Sequence, residues 1–232
     1  MRAALGVSLV ALVAACGKSS TGPGNTGPYA CDGQAFPTTA TSTITVTGTV
    51  AEFGSSGVVG ARVDAFKTGT AGSIDSATTD AQGNFTLTIP TGGVPLDGYI
   101  KASKTGYVDT YAYPSAPLPA NASITLTVVT PSEFNLLAAS MSVTPTAGDG
   151  ALAIRPVDCT GAVVTGATVG TSPASTPYSD GSGDFFEFNL APGSVTVSAS
   201  YQSHTFHSHP VVAFADAVTI TIVAPGPLSP PE

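Results

Sequence analysis

The fold is decided by the stretch TITVTGTV at residues 43–50, in which threonine alternates with apolar residues or glycine. The same alternation returns in FTLTI at 85–89, ITLTV at 124–128, VTVSA at 195–199 and VTITI at 218–222. Because successive side chains of a strand point to opposite faces, each stretch presents one apolar face and one Thr/Ser face. This pattern is typical of a half-buried antiparallel sheet. Turn residues recur at short intervals, which favours a β-sandwich over an α/β fold.

Two short motifs occur twice in the same order. VGARV at residues 59–63 is matched by TGATV at 165–169, and TDAQGNF at 79–85 is matched by SDGSGDF at 179–185. Each second motif is followed by an alternating strand and a Pro/Gly turn. Two motifs in a conserved order indicate a duplicated structural unit.

The motif order Gly-Ala-x-Val, Thr-Asp-x-x-Gly-x-Phe, apolar strand and then Gly106-Tyr107 resembles the carboxypeptidase regulatory-like domain. That domain belongs to the transthyretin-like and Cna-B-like group of β-sandwiches. The likeness covers about 44–129 well and about 151–223 more weakly, since no clear Gly-Tyr follows there. It implies an all-β chain of two tandem seven-stranded Greek-key sandwich modules, at 43–130 and 151–224. It also implies a structural or binding module, and no catalysis.

The modules are joined by a linker at residues 131–150. Ser132 is a candidate cap for a short helix from Glu133 to Ser140, which would bury Phe134, Leu137 and Met141. The Pro-rich tail at 225–232 is expected to be loose.

The N-terminus reads as a targeting segment. Residues 1–15 hold one arginine followed by an apolar run that is shorter than the roughly 20 residues of a membrane helix. The run ends in LVAAC at 12–16, which resembles the lipobox of bacterial lipoproteins and implies a covalent lipid on Cys16. An ordinary signal peptide with an incidental cysteine is the alternative. Residues 16–42 would then contain the lipidated cysteine and a flexible Gly/Ser/Thr/Pro tether.

Export has consequences for the other cysteines. Cys31 and Cys159 are an even pair in a compartment where disulfides persist, so a bridge between them is favoured over two unpaired thiols. We expect the chain to face the periplasm or the cell surface, on the outer membrane rather than the inner one.

Charge is sparse, at 9% of residues, and the formal net charge is −8. An acidic balance argues against nucleic acid and against a polybasic contact with the membrane. The expected partners are therefore the membrane, reached through the lipid, and an unidentified protein or polysaccharide.

The sharpest candidate for chemistry is the stretch HTFHSH at 204–209, which holds every histidine of the chain. His204, His207 and His209 have the spacing of possible zinc or copper ligands. The alternative is a polar hairpin facing solvent. With Tyr178 and Tyr201, the same histidines are similar to the iron ligands of intradiol dioxygenases, but the surrounding pattern of that family is missing.

Two further candidates have simpler readings. Asp80 and Asp180 superficially resemble calcium ligands, but β-turns in which Asp accepts from its own backbone are preferred. Tyr107, Tyr111 and Tyr113 could form an aromatic platform for carbohydrate, although the chain has no tryptophan. The sequence thus predicts a non-catalytic lipoprotein for binding, adhesion or envelope architecture, without a cofactor beyond the lipid; a metal-binding lipoprotein is the first alternative.

Overall fold

The computed structural model describes residues 27–54, 57–173 and 177–228, together with the backbone of Val13–Ala14. Its secondary structure is almost entirely β. The signal-peptide and lipidation predictions, including Cys16, lie outside the described residues except for the backbone of Val13–Ala14, as does the end of the tail at 229–232.

The strands of the first half are β1 (Val13–Ala14), β2 (Thr43–Glu52), β3 (Arg62–Lys67), β4 (Ser73–Thr78), β5 (Asn84–Pro90), β6 (Gly98–Ser103), β7 (Asp109–Tyr113) and β8 (Ala122–Val128). Helix α1 (Pro131–Ser140) follows. The second half contains β9 (Gly150–Pro156), β10 (Thr168–Ser172), β11 (Tyr178–Ser179), β12 (Phe185–Leu190), β13 (Gly193–Tyr201), β14 (His204–Thr205), β15 (His209–Ala213) and β16 (Ala217–Val223).

The pairing of strands repeats between the halves. Strand β2 lies between antiparallel β5 and parallel β8, and β9 lies in the same way between antiparallel β12 and parallel β16. The opposing strands also correspond, since β3, β6 and β7 pair in that order and so do β10, β13 and β15. The duplication read from the two motifs therefore recurs in the topology.

The two halves share one sheet, which the tandem arrangement did not predict. Strand β16 pairs in parallel with β7 on one side and with β9 on the other. This joins the strands into an eight-stranded sheet with the order β11-β12-β9-β16-β7-β6-β3-β4. The alternation in β16 predicts a half-buried strand, but Thr219 and Thr221 are buried as well, because β16 lies in the centre of the shared sheet with a core on each face.

The hydrophobic cores lie on opposite faces of the shared sheet. Ala112, Ala153 and Ile220 belong to the core of the front face, whereas their chain neighbours Tyr113 and Ile154 belong to the core of the back face. The sheet β1-β8-β2-β5 packs on the front face of the first half, and β10, β13 and β15 pack on the back face of the second half. Each covering sheet thus covers only half of one face of the shared sheet, and other elements cover the rest of that face.

Helix α1 covers part of the front face in the second half. Its cap is Thr130 and not Ser132 as predicted: the Glu133 N–H donates to Thr130 Oγ1, and the Thr130 N–H donates to the Glu133 carboxylate. The helix begins earlier than predicted because Pro131, which has no N–H to satisfy, is suited to the first turn of a helix. Leu137 and Met141 pack against the front core, as predicted.

The termini differ from expectation. The tail was predicted to be loose, but Leu228 is only 4% exposed. Gly226 approaches the N-terminal segment so closely that a Cβ would lie 2.0 Å from the Cys31 carbonyl oxygen. The second part of the predicted tether, from residue 27, contains turns and the buried Cys31. The two segments pack against each other, the tail contributes Leu228 to the front core, and Tyr29 packs against the back core.

Within the residues that the structure describes, no helix is both long enough and apolar enough to cross a membrane.

Candidate functional site

The N-terminal segment at residues 27–36, here called the clasp, forms consecutive turns. The N–H groups of Ala30, Asp32 and Gln34 donate to carbonyls three residues earlier, at 3.0–3.1 Å. The clasp precedes the first half in sequence. Nevertheless, its contacts with the second half dominate what the structure shows of it.

A disulfide fixes the clasp to the second half. Cys31 and Cys159 are bonded, with their Cα atoms 5.5 Å apart, and both are buried. The backbone reinforces the link, because the Cys159 N–H donates to the Pro28 carbonyl at 2.7 Å. Cys159 follows β9 by three residues, so the clasp is attached next to the shared sheet.

His204 also holds the clasp. Its ring stacks on Tyr29, with the centroids 4.0 Å apart and the planes 6° from parallel. Its Nδ1 lies 2.7 Å from the Asp32 carboxylate, at a site where both side chains are partly exposed. The ring of Tyr201 is also stacked with that of Tyr29, with the centroids 6.2 Å apart. His204 therefore acts as a docking residue for the clasp.

The other two histidines have different neighbours. His207 packs against Phe36 of the clasp at 4.5 Å between centroids, and its backbone N–H donates to the Ala224 carbonyl. His209 is buried, with Nε2 2.9 Å from the Thr221 hydroxyl. Burial lowers the pKa of His207, and the deeper burial of His209 lowers its pKa to about 4. Both histidines are therefore neutral near pH 7.

The three histidines do not converge on one point. The rings of His207 and His209 lie 6.3 Å apart, while His204 is engaged with Asp32. In the described part of the chain, no group of three or more His, Cys, Asp or Glu side chains is placed to hold a metal ion. The tyrosines of the iron-site reading are also separated, since Tyr178 lies on β11 of the shared sheet and Tyr201 on β13. Metal binding stays a prediction.

The two Asp motifs form β-turns, as predicted. Asp80 accepts from the N–H groups of Gln82 and Asn84 at 2.9 and 2.8 Å, and Asp180 accepts from that of Ser182 at 2.8 Å. These contacts explain why the pKa of Asp80 lies below its ordinary value, since N–H donors favour the carboxylate. Both aspartates hold their own loops.

The tyrosines of the proposed sugar platform lie apart. Tyr107 packs against the front core, whereas Tyr111 and Tyr113 lie on the back face. The ring of Tyr111 stacks on Phe214 at 3.7 Å, and that of Tyr113 stacks on Tyr99 at 4.8 Å. One face of each of these two rings therefore already contacts another ring, and the three tyrosines do not form a single platform; carbohydrate binding stays a prediction.

Sequence reasoning identified the histidines and cysteines but missed their partners in the clasp. Tyr29, Asp32 and Phe36 lie in a segment that composition alone assigns to a tether. A signal was present, because two aromatic residues and an acidic residue surround Cys31. When a cysteine is expected to form a long-range disulfide, its neighbours in sequence are also expected to pack against the distant surface that it reaches.

The pairing and packing define an all-β protein of β-sandwich architecture. No protein-family model and no curated protein matches the chain. Among solved structures, the shaft pilin SpaA from Lactobacillus rhamnosus GG is 14% identical, with 79% of this chain and 98% of that chain covered and a TM-score of 0.27. A streptococcal ancillary pilin is 14% identical, with 79% and 62% covered and a TM-score of 0.27. The Bacillus anthracis TIE protein is 12% identical, with 78% and 34% covered and a TM-score of 0.30. Likeness of this degree assigns neither a family nor a function.

Proposed function

We propose that the chain is an exported lipoprotein, held to a bacterial outer membrane through a lipid on Cys16, and that its body is a non-catalytic module for binding, adhesion or envelope architecture. Its partner in that role is a protein or a polysaccharide. The clasp is the observation that carries this proposal.

Besides the peptide chain, the clasp provides a second covalent connection between the anchored end of the chain and the body. Only ten residues separate Cys16 from Gly27, where the described clasp begins. From there the disulfide and the Tyr29–His204 stack bind the segment to the second half. A protein displayed from a lipid benefits from such a link, because the disulfide keeps the anchored end close to the second half even when the first half unfolds locally.

The contacts of several polar residues support a structural role. His204 and Asp32 dock the clasp, Asp80 and Asp180 close turns, and Arg155 forms a buried ion pair with Asp184. Each of these groups contributes to the shape of the body.

The anchor is tested by producing the chain in a bacterium supplied with a clickable palmitate analogue. We expect the wild type to carry the label and to sediment with membranes, and Cys16→Ser to lose the label and become soluble after export. The matched control is the double variant Cys31→Ser/Cys159→Ser, which should keep the label because it retains Cys16. Labelling of Cys16→Ser, or an unlabelled wild type, would contradict the proposal.

A further inference from the structure

A cavity of about 270 Å³ lies between helix α1 and the front face of the shared sheet. It exists because this half of the front face is covered by a ten-residue helix instead of a sheet. The floor consists partly of Ala151 and Ala153, whose small side chains leave space below the helix. Leu136 lines the cavity and is 60% exposed, so it marks the opening to solvent.

The cavity has an apolar, largely aromatic wall. Phe53, Phe134, Phe186 and Phe188 line it, together with aliphatic side chains of α1 and β16. Glu133 is the charged residue of the lining, and its Oε2 already accepts from the Thr130 N–H and hydroxyl. The other polar lining residues are Thr110 and Thr127. A narrow apolar group in this space would therefore contact mainly apolar side chains.

A second cleft, of about 460 Å³, adjoins the first. Phe134 lines both spaces, so the apolar cavity and the second cleft meet at this residue. Asp149 and Asp216 line the cleft; Asp109 also borders it, but its carboxylate pairs with Lys101 at 2.6 Å. The Asp216 carboxylate accepts from the Gly148 N–H at 2.8 Å, and the described lining contains no Lys, Arg or His, so the charge of the cleft is negative.

We propose that the apolar cavity binds the alkyl chain of a single-chain amphiphile whose positively charged head lies in the adjoining cleft. The volume suits one slim chain and is too small for a peptide helix, whose diameter with side chains is roughly 10–12 Å. The negative cleft favours a cationic head and disfavours an anionic one. Sites of this kind are common where two structural units meet.

The test uses the full chain carrying Cys16→Ser, so that an acyl group on Cys16 cannot compete. Dodecyltrimethylammonium, dodecyl maltoside and dodecanoate are titrated by calorimetry below their micellar concentrations. We expect saturable binding of one equivalent of the cation, roughly tenfold tighter than dodecanoate, a ratio that falls with added salt. With shorter and longer cations, affinity should rise about fourfold per methylene and then level off when the cavity is full.

Filling the cavity supplies the matched variants. Ala151→Leu should weaken binding of the cation at least tenfold, whereas Ala139→Leu, on the exposed side of α1, should leave it unchanged. Thermal unfolding of Ala151→Leu, compared with that of the chain without this change, shows whether the variant is folded. In methyl NMR spectra, Ala151 and Ala153 should shift with the cation, while Val197 and Val211 of the back core should not.

Three outcomes would overturn the proposal. These are the absence of saturable binding below the micellar concentration, an affinity that continues to rise with chain length, and equal binding of dodecanoate. A fourth outcome is binding to Cys16→Ser but not to the lipidated wild type. It would mean that the acyl group of the chain itself, and not a free amphiphile, occupies the cavity.

Discussion

The two halves place different residues at the same cross-strand position. Thr49 faces Asn84 in the β2–β5 pair, and Arg155 occupies the corresponding place opposite Asp184 beside the β9–β12 pair. The first pair is an exposed hydrogen bond of 3.1 Å between a hydroxyl and an amide. The second is a double hydrogen bond of 2.6 Å between a guanidinium and a carboxylate, with side chains 9% and 1% exposed.

The difference follows from where each half lies in the molecule. Strand β9 lies inside the shared sheet, and all seven of its residues are buried. Strand β2 belongs to a covering sheet and keeps several partly exposed residues. Two residues at equivalent positions of a duplicated fold can therefore contribute differently to stability. The burial of the site sets the free-energy penalty for losing a polar partner.

The largest expected effect is the loss of the buried ion pair. Arg155→Ala should lower the free energy of unfolding by about 3–5 kcal/mol, because the Asp184 carboxylate stays buried without its guanidinium partner. Thr49→Ala should cost less than about 1 kcal/mol, because its site is exposed. Urea unfolding of both variants measures the contrast. Equal losses would show that the environment of the pair does not matter.

The next largest contrast between the halves is expected in the pH dependence of stability, because every histidine lies in the second half. The folded pKa of His209 is lowered to about 4, so folding favours the neutral ring. The resulting stability is complete above the unfolded pKa and is lost as pH falls from about 6.5 to 4, by about 3 kcal/mol. Unfolding free energies across this range measure it. In His209→Gln this part of the pH dependence should disappear; an unchanged profile would assign it to other groups.

The first residue of the repeated turn motif gives a smaller contrast. Thr79 is buried, where its hydroxyl donates to the Val58 carbonyl and accepts from the Ala61 N–H, whereas Ser179 is exposed. Thr79→Ala should cost about 1–3 kcal/mol because two buried backbone groups lose a partner. Ser179→Ala should change stability by less than about 0.5 kcal/mol. Thermal unfolding compares them, and a larger loss at Ser179 would reverse the interpretation.

The smallest effect is expected from the addition of zinc or copper. Because His204 is held by Asp32 and Tyr29 and His209 is buried, zinc or copper should not bind stoichiometrically at micromolar concentration. Calorimetric titration of the wild type measures this directly. A 1:1 isotherm that vanishes in His204→Ala and His207→Ala would support the metal-binding alternative and show that the second half can rearrange.

The sequence was most informative where a pattern is local. Alternating threonines revealed the strands, and the repeated Asp motifs revealed the turns and the duplication, because both depend on neighbours within a few residues. The cap of α1 was misplaced by two residues, since Thr130 and Ser132 have equivalent chemistry and only the position of Pro131 distinguishes them. The shared sheet was not predictable, because β16 has the same alternation whether it borders one neighbour or joins two. The clasp was missed for a similar reason: its few aromatic residues bury against a surface distant in sequence.

The position of β16 also bears on how the chain acquires its shape as it is synthesised. Synthesis proceeds from the N-terminus, so residues 217–223 emerge after nearly everything they must join. The contacts of β16 with β7 join residues far apart in the chain, with Thr221 and Tyr113 separated by 108 residues. Contacts of high sequence separation form slowly because loop closure precedes them. The first half can therefore complete its own pairing early, and the union of the halves waits for the last strand to emerge.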